Sequence, residues 1–315
     1  MTLPQSLPPT LAFMLLCGSP APSVGDEPLK LIFITPCRDE AFFEPVKKGM
    51  NDAAAMLGVE CSFIGTVEVD VKAQAEMVRK AVADGCDGIA LNIIDPEAFD
   101  EVVQEAVDKG VPVVAFNVDD HTTENVRLAA VRQDFYEAGR TIGRRAGQFI
   151  APGSKVLATL HNEGISALDD RLRGIQDALK DKKINWKVIV SGNDPETAAE
   201  NVARELAGDP AIKAVLCTGL TDTEAAGVAA EKRFPGRDLV IAGFDLTPKI
   251  LGMVDRGVIK FTIDQQPYTQ GFYPVVQLTL CCRYGIKPSN IDAGAGIVTQ
   301  KDAKRVIELT KQKYR

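Results

Sequence analysis

The chain has 315 residues, 45% apolar and 25% charged, an ordinary composition for a soluble protein and enough length for two domains. Its formal net charge of −7 excludes the broad basic footprint that a nucleic acid requires, so no nucleic-acid partner is expected. The 7 cysteines are odd in number and scattered, without CxxC or His-bearing metal spacing, which argues against a disulfide framework and a metal centre.

Residues 11–17 form an apolar run too short to span a bilayer, followed by small and proline-rich residues 18–25. This reads as a secretory signal peptide cleaved before Asp26, although no Lys or Arg precedes Lys30 to supply its basic start. A disordered leader is the other reading, as is lipid attachment at Cys17, where Leu16 occupies a position that usually carries a small residue.

Leu31-Ile32-Phe33-Ile34 is an unbroken apolar run, the pattern of a parallel strand covered on both faces. After a polar turn, Phe43, Val46, Met50, Ala53, Ala54 and Leu57 recur at helical spacing, and Gly58 offers a C-terminal stop. Ligands of open α/β sheets bind beyond the carboxyl ends of the strands, so this turn aims Asp39, Glu40, Phe42 and Phe43 at the expected site. The turn has no glycine and carries two carboxylates, which disfavours phosphate. Acceptors beside aromatic rings suit a neutral, hydroxyl-rich ligand; either ring could instead staple the helix to the core.

Strands are then expected at 61–65, 87–92 and 111–117, with helices at 71–83 and 96–109. A polar segment, 118–125, leads to an extended run at 126–131 and a helix at 135–150. A second alternating series follows, with strands at 155–160, 187–190, 214–218 and 239–244 and helices at 168–179, 195–207, 223–233 and 248–256. An extended piece at 258–264 runs through Gln265-Gln266-Pro267 into a helix to Arg283, then a strand near 296–298 and a helix at 301–313. Strict alternation predicts an α/β fold: two similar, doubly wound parallel-sheet lobes with right-handed crossovers and a cleft between them.

Several polar residues fall where these strands end. Asp245 closes the strand ending Ala242-Gly243-Phe244, where a carboxylate can accept two hydroxyl hydrogen bonds or cap the helix entered at Thr247-Pro248. Asn92 and Asn117 end their strands in the same way. Arg171 offers a planar fork that fits vicinal hydroxyls, or pairs with Asp169 or Asp170 on a solvated face. Thr221 and Asp222 occupy the next loop, and Gln265 stands at a crossing between lobes. His121 and His161 have no Ser or Cys partner in a catalytic motif, and HExxH, Walker and GxGxxG patterns are absent. No enzymatic activity, cofactor or metal is expected.

The ordered set Ala41-Phe42-Phe43, Asp87-Gly88-Ile89 with Asn92, Gly110-Val111-Pro112-Val113, Gln133-Asp134 with Ala138-Gly139, Arg171 with Gly174, Gly243-Phe244-Asp245 and Gln265-Gln266-Pro267 resembles a known family. It is that of the periplasmic sugar-binding proteins of bacterial ABC importers, the ribose-, galactose- and inositol-binding kind, and the resemblance runs from about residue 29 to 298. It implies a type I periplasmic binding protein: an N-terminal lobe of 26–118 plus 266–297, a C-terminal lobe of 119–265 plus 298–315, and a three-segment hinge near Val118, Gln265 and 295–299. It implies ligand contacts at Phe42, Phe43, Asn92, Asn117, Arg171, Asp245 and Gln265. Asp39-Glu40 stand where the family often has Asn, Asn117 replaces an Asp, Asn193 replaces a stacking aromatic, and Thr221 replaces an Asn. These departures point away from ribose, toward a linear polyol or a less common sugar. The implied function is that of a monomeric, extracytoplasmic protein that captures a neutral sugar or sugar alcohol by hinge closure and delivers it to a membrane ABC permease. Presentation of the ligand to a chemoreceptor or sensor kinase fits the same residues, and the fold alone also serves enzymes and regulator effector domains.

Overall fold

Unbroken apolar strands need cover on both faces, and the chain supplies it with helices threaded between them. The computed structural model describes residues 27–119 and 126–315; the expected leader at 1–25 with Cys17, and His121, lie outside the described residues. Among the described residues, β1 (Lys30–Thr35), β2 (Glu60–Gly65), β3 (Gly88–Leu91), β4 (Val113–Asn117), β5 (Ala129–Arg132) and β11 (Ile291–Asp292) form one sheet, in the order β11-β5-β4-β3-β1-β2. The second sheet holds β6 (Lys155–Leu160), β7 (Asn185–Val190), β8 (Ile212–Cys217), β9 (Val240–Phe244), β10 (Phe261–Asp264) and β12 (Gly296–Thr299), in the order β12-β10-β9-β8-β6-β7. The two orders are the same, so β4 of one lobe corresponds to β9 of the other. Pairing is parallel except between β10 and β12.

Helices α1 (Phe43–Leu57), α2 (Val71–Ala83), α3 (Pro96–Asp108) and α9 (Pro267–Tyr284) pack on the first sheet. Around the second lie α4 (Phe135–Ala146), α5 (Ser166–Ala178), α6 (Pro195–Gly208), α7 (Leu220–Arg233), α8 (Pro248–Asp255) and α10 (Gln300–Lys311). The caps follow from residue type. Asp70, Asp95, Asp134 and Asp194 accept from backbone N–H groups in the first turns of α2, α3, α4 and α6. Gly58 closes α1 in the left-handed region, at φ 62°, where a Cβ would be strained.

Sheet pairing corrects the expected lobe boundaries. The apolar run Ala129-Ala130-Val131 completes the first sheet, with Ala115 opposite Ala130, so the N-terminal lobe continues past Val118 to Arg132. The first crossing therefore lies at Gln133–Asp134. β12 pairs with β10, with Ile263 opposite Ile297, so residues 296 and 297 belong to the second sheet and the third crossing falls at 293–295. The second crossing lies at Gln265–Gln266, between β10 and α9. The two-residue β11, too short for any periodic signal, pairs with β5 through Ile291 and Val131.

Glycine fixes how closely two helix pairs approach. A Cβ on Gly139 of α4 would strike the backbone carbonyl of Arg171 in α5, and one on Gly174 would strike that of Tyr136 in α4. Gly49 of α1 and Gly271 of α9 do the same in the other lobe, against Tyr268 and Val46. The α4–α5 contact matters most, because it sets the backbone from which Arg171 extends. Gly139→Ala should lower the free energy of unfolding by about 1–3 kcal/mol, the range for overpacking a close contact. Gly208→Ala, whose Cβ would meet nothing within 4 Å, should not destabilise. Urea denaturation of both variants checks this; equal midpoints would mean the helices can move apart freely.

Candidate ligand-binding site

A cavity of about 140 Å³ lies between the lobes among the described residues. Ala41, Phe42 and Pro45 line it from the loop after β1 and the start of α1, and Leu220, Asp245, Leu246, Thr247 and Pro248 from the second lobe. Asp264, Gln265 and Pro267, at and beside the second crossing, complete its lining with Thr310 and Arg315. Both lobes thus reach it from the carboxyl ends of their strands, where open α/β sheets bind ligands.

Asp245 follows the last residue of β9 in a left-handed conformation, φ 73°, that is costly for a residue with a Cβ. Its backbone is pinned by N–H donation to the Ile263 carbonyl at 2.9 Å and acceptance from Thr262 Oγ1 at 2.9 Å. Its side chain, in a residue only 8% exposed, accepts from Gln265 Nε2 at 2.6 Å. It does not cap the next helix: Thr247 does, accepting from the Ile250 N–H at 3.1 Å. Asn117 ends β4, the corresponding strand, and is also left-handed at φ 62°. Strain recurs at matching positions in both lobes.

Arg171 is 4% exposed and makes no surface ion pair. Asp170 pairs with Arg173 at 2.8 Å and Asp169 is exposed, because the α5 turn that buries Arg171 directs Asp169 outward. The guanidinium carbon sits 4.0 Å from the Phe244 ring centroid and 5.0 Å from that of Phe135. Nη1 donates to the Thr218 carbonyl at 3.0 Å, and Nη2 donates to Gln133 Oε1 at 2.8 Å and lies 3.5 Å from Gln265 Oε1. Nε is buried with no partner among the described residues. Burial pulls the Arg171 pKa down to about 10, opposed by the charges of Asp245 and Asp222. Burial likewise pushes the Asp245 carboxyl up, opposed by Arg171 and by the Gln265 hydrogen bond.

Phe42, Asp245 and Gln265 therefore line one cavity with Arg171 beside Gln265, while the other expected contact residues are placed as follows. Phe43 is buried against Phe63, ring centroids 5.7 Å apart, and anchors α1 to the core. Asn92 spends its amide on a brace, donating to Thr35 Oγ1 at 3.0 Å and accepting from the Val118 N–H at 3.3 Å. Asp222 is fully buried at the entry to α7, accepting from the Thr218 and Gly219 N–H groups and Thr159 Oγ1 at 2.8, 2.9 and 2.9 Å. Asn193 is exposed, as are Asp39, paired with Arg38 at 3.5 Å, and Glu40, which neighbours Cys37. Thr221 is half-buried in the first turn of α7, beside the lining residue Leu220. Three contributors were not among the expected site residues. Gln133 had a signal, its position at a strand-to-helix junction. Asp264, which ends β10 and pairs with Arg315, stood next to Gln265, but nothing local foretold that residue 315 would fold back to it. Among the described residues, no group of three or more His, Cys, Asp or Glu is placed to hold a metal.

Residues 31–282 match the periplasmic binding protein domain family. The chain belongs to that family. It is 28% identical over 291 residues to the xylose/arabinose-binding protein of Sulfolobus acidocaldarius, covering 87% of this chain and 71% of that protein. Similar solved structures include a glucose-galactose binding protein from Geobacillus stearothermophilus, with a TM-score of 0.78 and 26% identity over 88% of this chain and 99% of the other. Another is a carbohydrate transporter from Acidothermus cellulolyticus in complex with myo-inositol, with a TM-score of 0.78 and 28% identity over 92% and 100%. Two doubly wound lobes joined by three crossings are the type I arrangement of periplasmic binding proteins, as the ordered sequence motifs implied.

The buried carboxyl makes a pH-dependent prediction for this periplasmic binding protein. The folded pKa of Asp245 lies above its unfolded value, so its contribution to stability is fully present below the unfolded pKa and is lost as pH rises through the folded one. The Tm advantage of Asp245→Asn over the parent should therefore widen from about pH 4 to pH 7. Ligand-free thermal melts check this, and a pH-independent difference would show that Asp245 ionises as an ordinary carboxylate.

Proposed function

We propose that this chain is an extracytoplasmic solute-binding protein that captures a neutral sugar or sugar alcohol between its lobes by hinge closure and passes it to a membrane ABC permease. One observation carries the reading: Asp245, Gln265 and Arg171 form a buried cluster at a strained strand end that no helix cap requires. A carboxylate bonded to an amide, with a planar cation beside that amide, can accept from and donate to adjacent hydroxyls, and charge-assisted bonds of that kind are strong once desolvated. Phe42 adds an apolar surface for a carbon skeleton, and Asn117 and Thr221 are proposed as further polar contacts as the lobes close. Family membership and the sugars named for the relatives support the same class of ligand.

A neutral ligand is favoured because the one buried cation among the described residues, Arg171, already faces the two carboxylates of Asp245 and Asp222. A phosphate or uronate would add negative charge beside Asp245, with Asp222 behind it, and like-charge contact in a closed site costs several kcal/mol. Micromolar binding requires only about −8 kcal/mol, within reach of a few such hydrogen bonds plus apolar contact. The hinge is proposed to lie at 133–134, 265–266 and 293–295, with each lobe moving as a body. Export, a monomeric state and delivery to a permease are parts of the same proposal. No helix of the described residues is long and apolar enough to cross a membrane.

A thermal-shift screen over pentoses, hexoses, inositols and alditols, beside their phosphates, uronic acids and amines, tests the reading. At least one neutral member should raise Tm, and Asp245→Ala should remove that shift, since truncating a desolvated charged partner costs about 2–5 kcal/mol. Affinity should also fall on acidification, because a protonated Asp245 loses an acceptor. Stabilisation by charged members alone would sink the proposal.

A further inference from the structure

We propose that Gln133 is a positioning residue that couples the seating of ligand at Arg171 and Asp245 to the angle of the hinge. The inference rests on the sugar-site reading above for its ligand, and on hydrogen-bond geometry for the coupling. Each crossing between the lobes contributes one group to a single buried network: Gln133 from the first, Gln265 from the second and the Gly294 carbonyl from the third. Gln133 is 0% exposed. Its Oε1 accepts from Arg171 Nη2 at 2.8 Å, and its Nε2 donates to the Gly294 carbonyl at 2.8 Å. A primary amide carries donor and acceptor in one rigid plane, so the two bonds cannot move independently.

The remaining contacts close the circuit. Gln265 donates to Asp245 at 2.6 Å and keeps its oxygen 3.5 Å from Arg171. Asp292 Oδ1 accepts from the N–H groups of Asp134 and Gly294, at 3.1 and 2.8 Å, which ties the first crossing to the third along the backbone. Gly294 has φ 90°, a conformation L side chains rarely adopt, so this presentation of its carbonyl depends on glycine. Arg171 retains a buried, unpartnered Nε, so its guanidinium has capacity for a further acceptor. Arg171 reaches the cavity through Gln265, which lines it, so a ligand that shifts Gln265 and the guanidinium beside it must draw Gln133 along or break a buried hydrogen bond, which is costly. Because the same amide grips Gly294, that displacement reaches the third crossing directly.

Two variants separate the halves of the amide. Gln133→Glu keeps an acceptor for Arg171 but cannot donate to Gly294, and Gln133→Leu removes both bonds while keeping an apolar side chain of similar size should the buried charge impair folding. The probe is whichever of xylose, arabinose, galactose and myo-inositol gives the parent its largest thermal shift. In the parent, probe binding should slow amide hydrogen exchange at 292–295. In Gln133→Glu that slowing should vanish and the affinity measured by calorimetry should fall about tenfold, within the usual span of coupling between sites. A variant that melts earlier yet binds within about twofold of the parent, with the same ligand-dependent slowing, would reduce Gln133 to a core brace and overturn the proposal. If the parent binds none of the probes, the sugar reading fails separately. Small-angle scattering of the ligand-free proteins then decides the hinge role: a changed radius of gyration in either folded variant supports it, and identical radii in both overturn it.

Discussion

A guanidinium held almost entirely out of water is the constraint on which the rest of this structure depends. Arg171 can be buried at 4% exposure only because its charge is met by Asp245 and Asp222 and its ring-stacked faces by Phe244 and Phe135. Those partners come from α4, α7, β9 and the residue after it, and Gln133 and Gln265 add contacts from two crossings between the lobes. The reciprocal glycines of α4 and α5 bring the Arg171 backbone close enough to α4 for all of them to reach it. Arg171 thus joins α5 to α4, to β9 and to two of the crossings between the lobes through one buried set of contacts.

The same economy appears in how backbone strain is distributed. Left-handed Asn117 and Asp245 stand at corresponding strand ends of two sheets with the same order. Glycine occupies that region at Gly58, Gly85 and Gly110, and Cys37, Lys183, Gln266 and Lys313 adopt it too. Thr247 takes over helix capping, which leaves the Asp245 carboxyl for Gln265 and the cavity. A crossing between the lobes, a left-handed strand end and a buried charge therefore meet at one place.

Much of the architecture was legible residue by residue. The helix read at 71–83 and the strand read at 155–160 have the observed bounds, because one has an aspartate cap and an apolar face and the other an unbroken apolar run. Asp245, Arg171 and Gln265 were legible as polar residues at a strand end, a helix turn and a crossing, and the structure brings them into one buried cluster. Residues 126–131 were legible as extended but not as part of the first lobe. A short apolar strand carries no mark of which sheet it joins, and pairing with β4 and β11 settles that. The paired crossings at 133–134 and 293–295 were displaced for the same reason.

The sequence by itself determined what depends on neighbours along the chain: alternating strands and helices, their caps and stops, two similar lobes, and an acidic net charge. Tertiary structure alone decided which strand-end polar groups are taken up by other parts of the fold. Asn92 is consumed by Thr35, 57 residues away, and Asp222 by Thr159, 63 residues away, whereas Asp245 loses its capping role to Thr247 close by. Phe42 and Phe43 are adjacent and chemically the same, yet one lines the cavity and the other fills the core. Hydrogen-bond capacity is a property of a residue, but its satisfaction belongs to partners that periodicity does not name. Whether a polar side chain braces the fold or faces the cleft is settled only when those distant partners arrive.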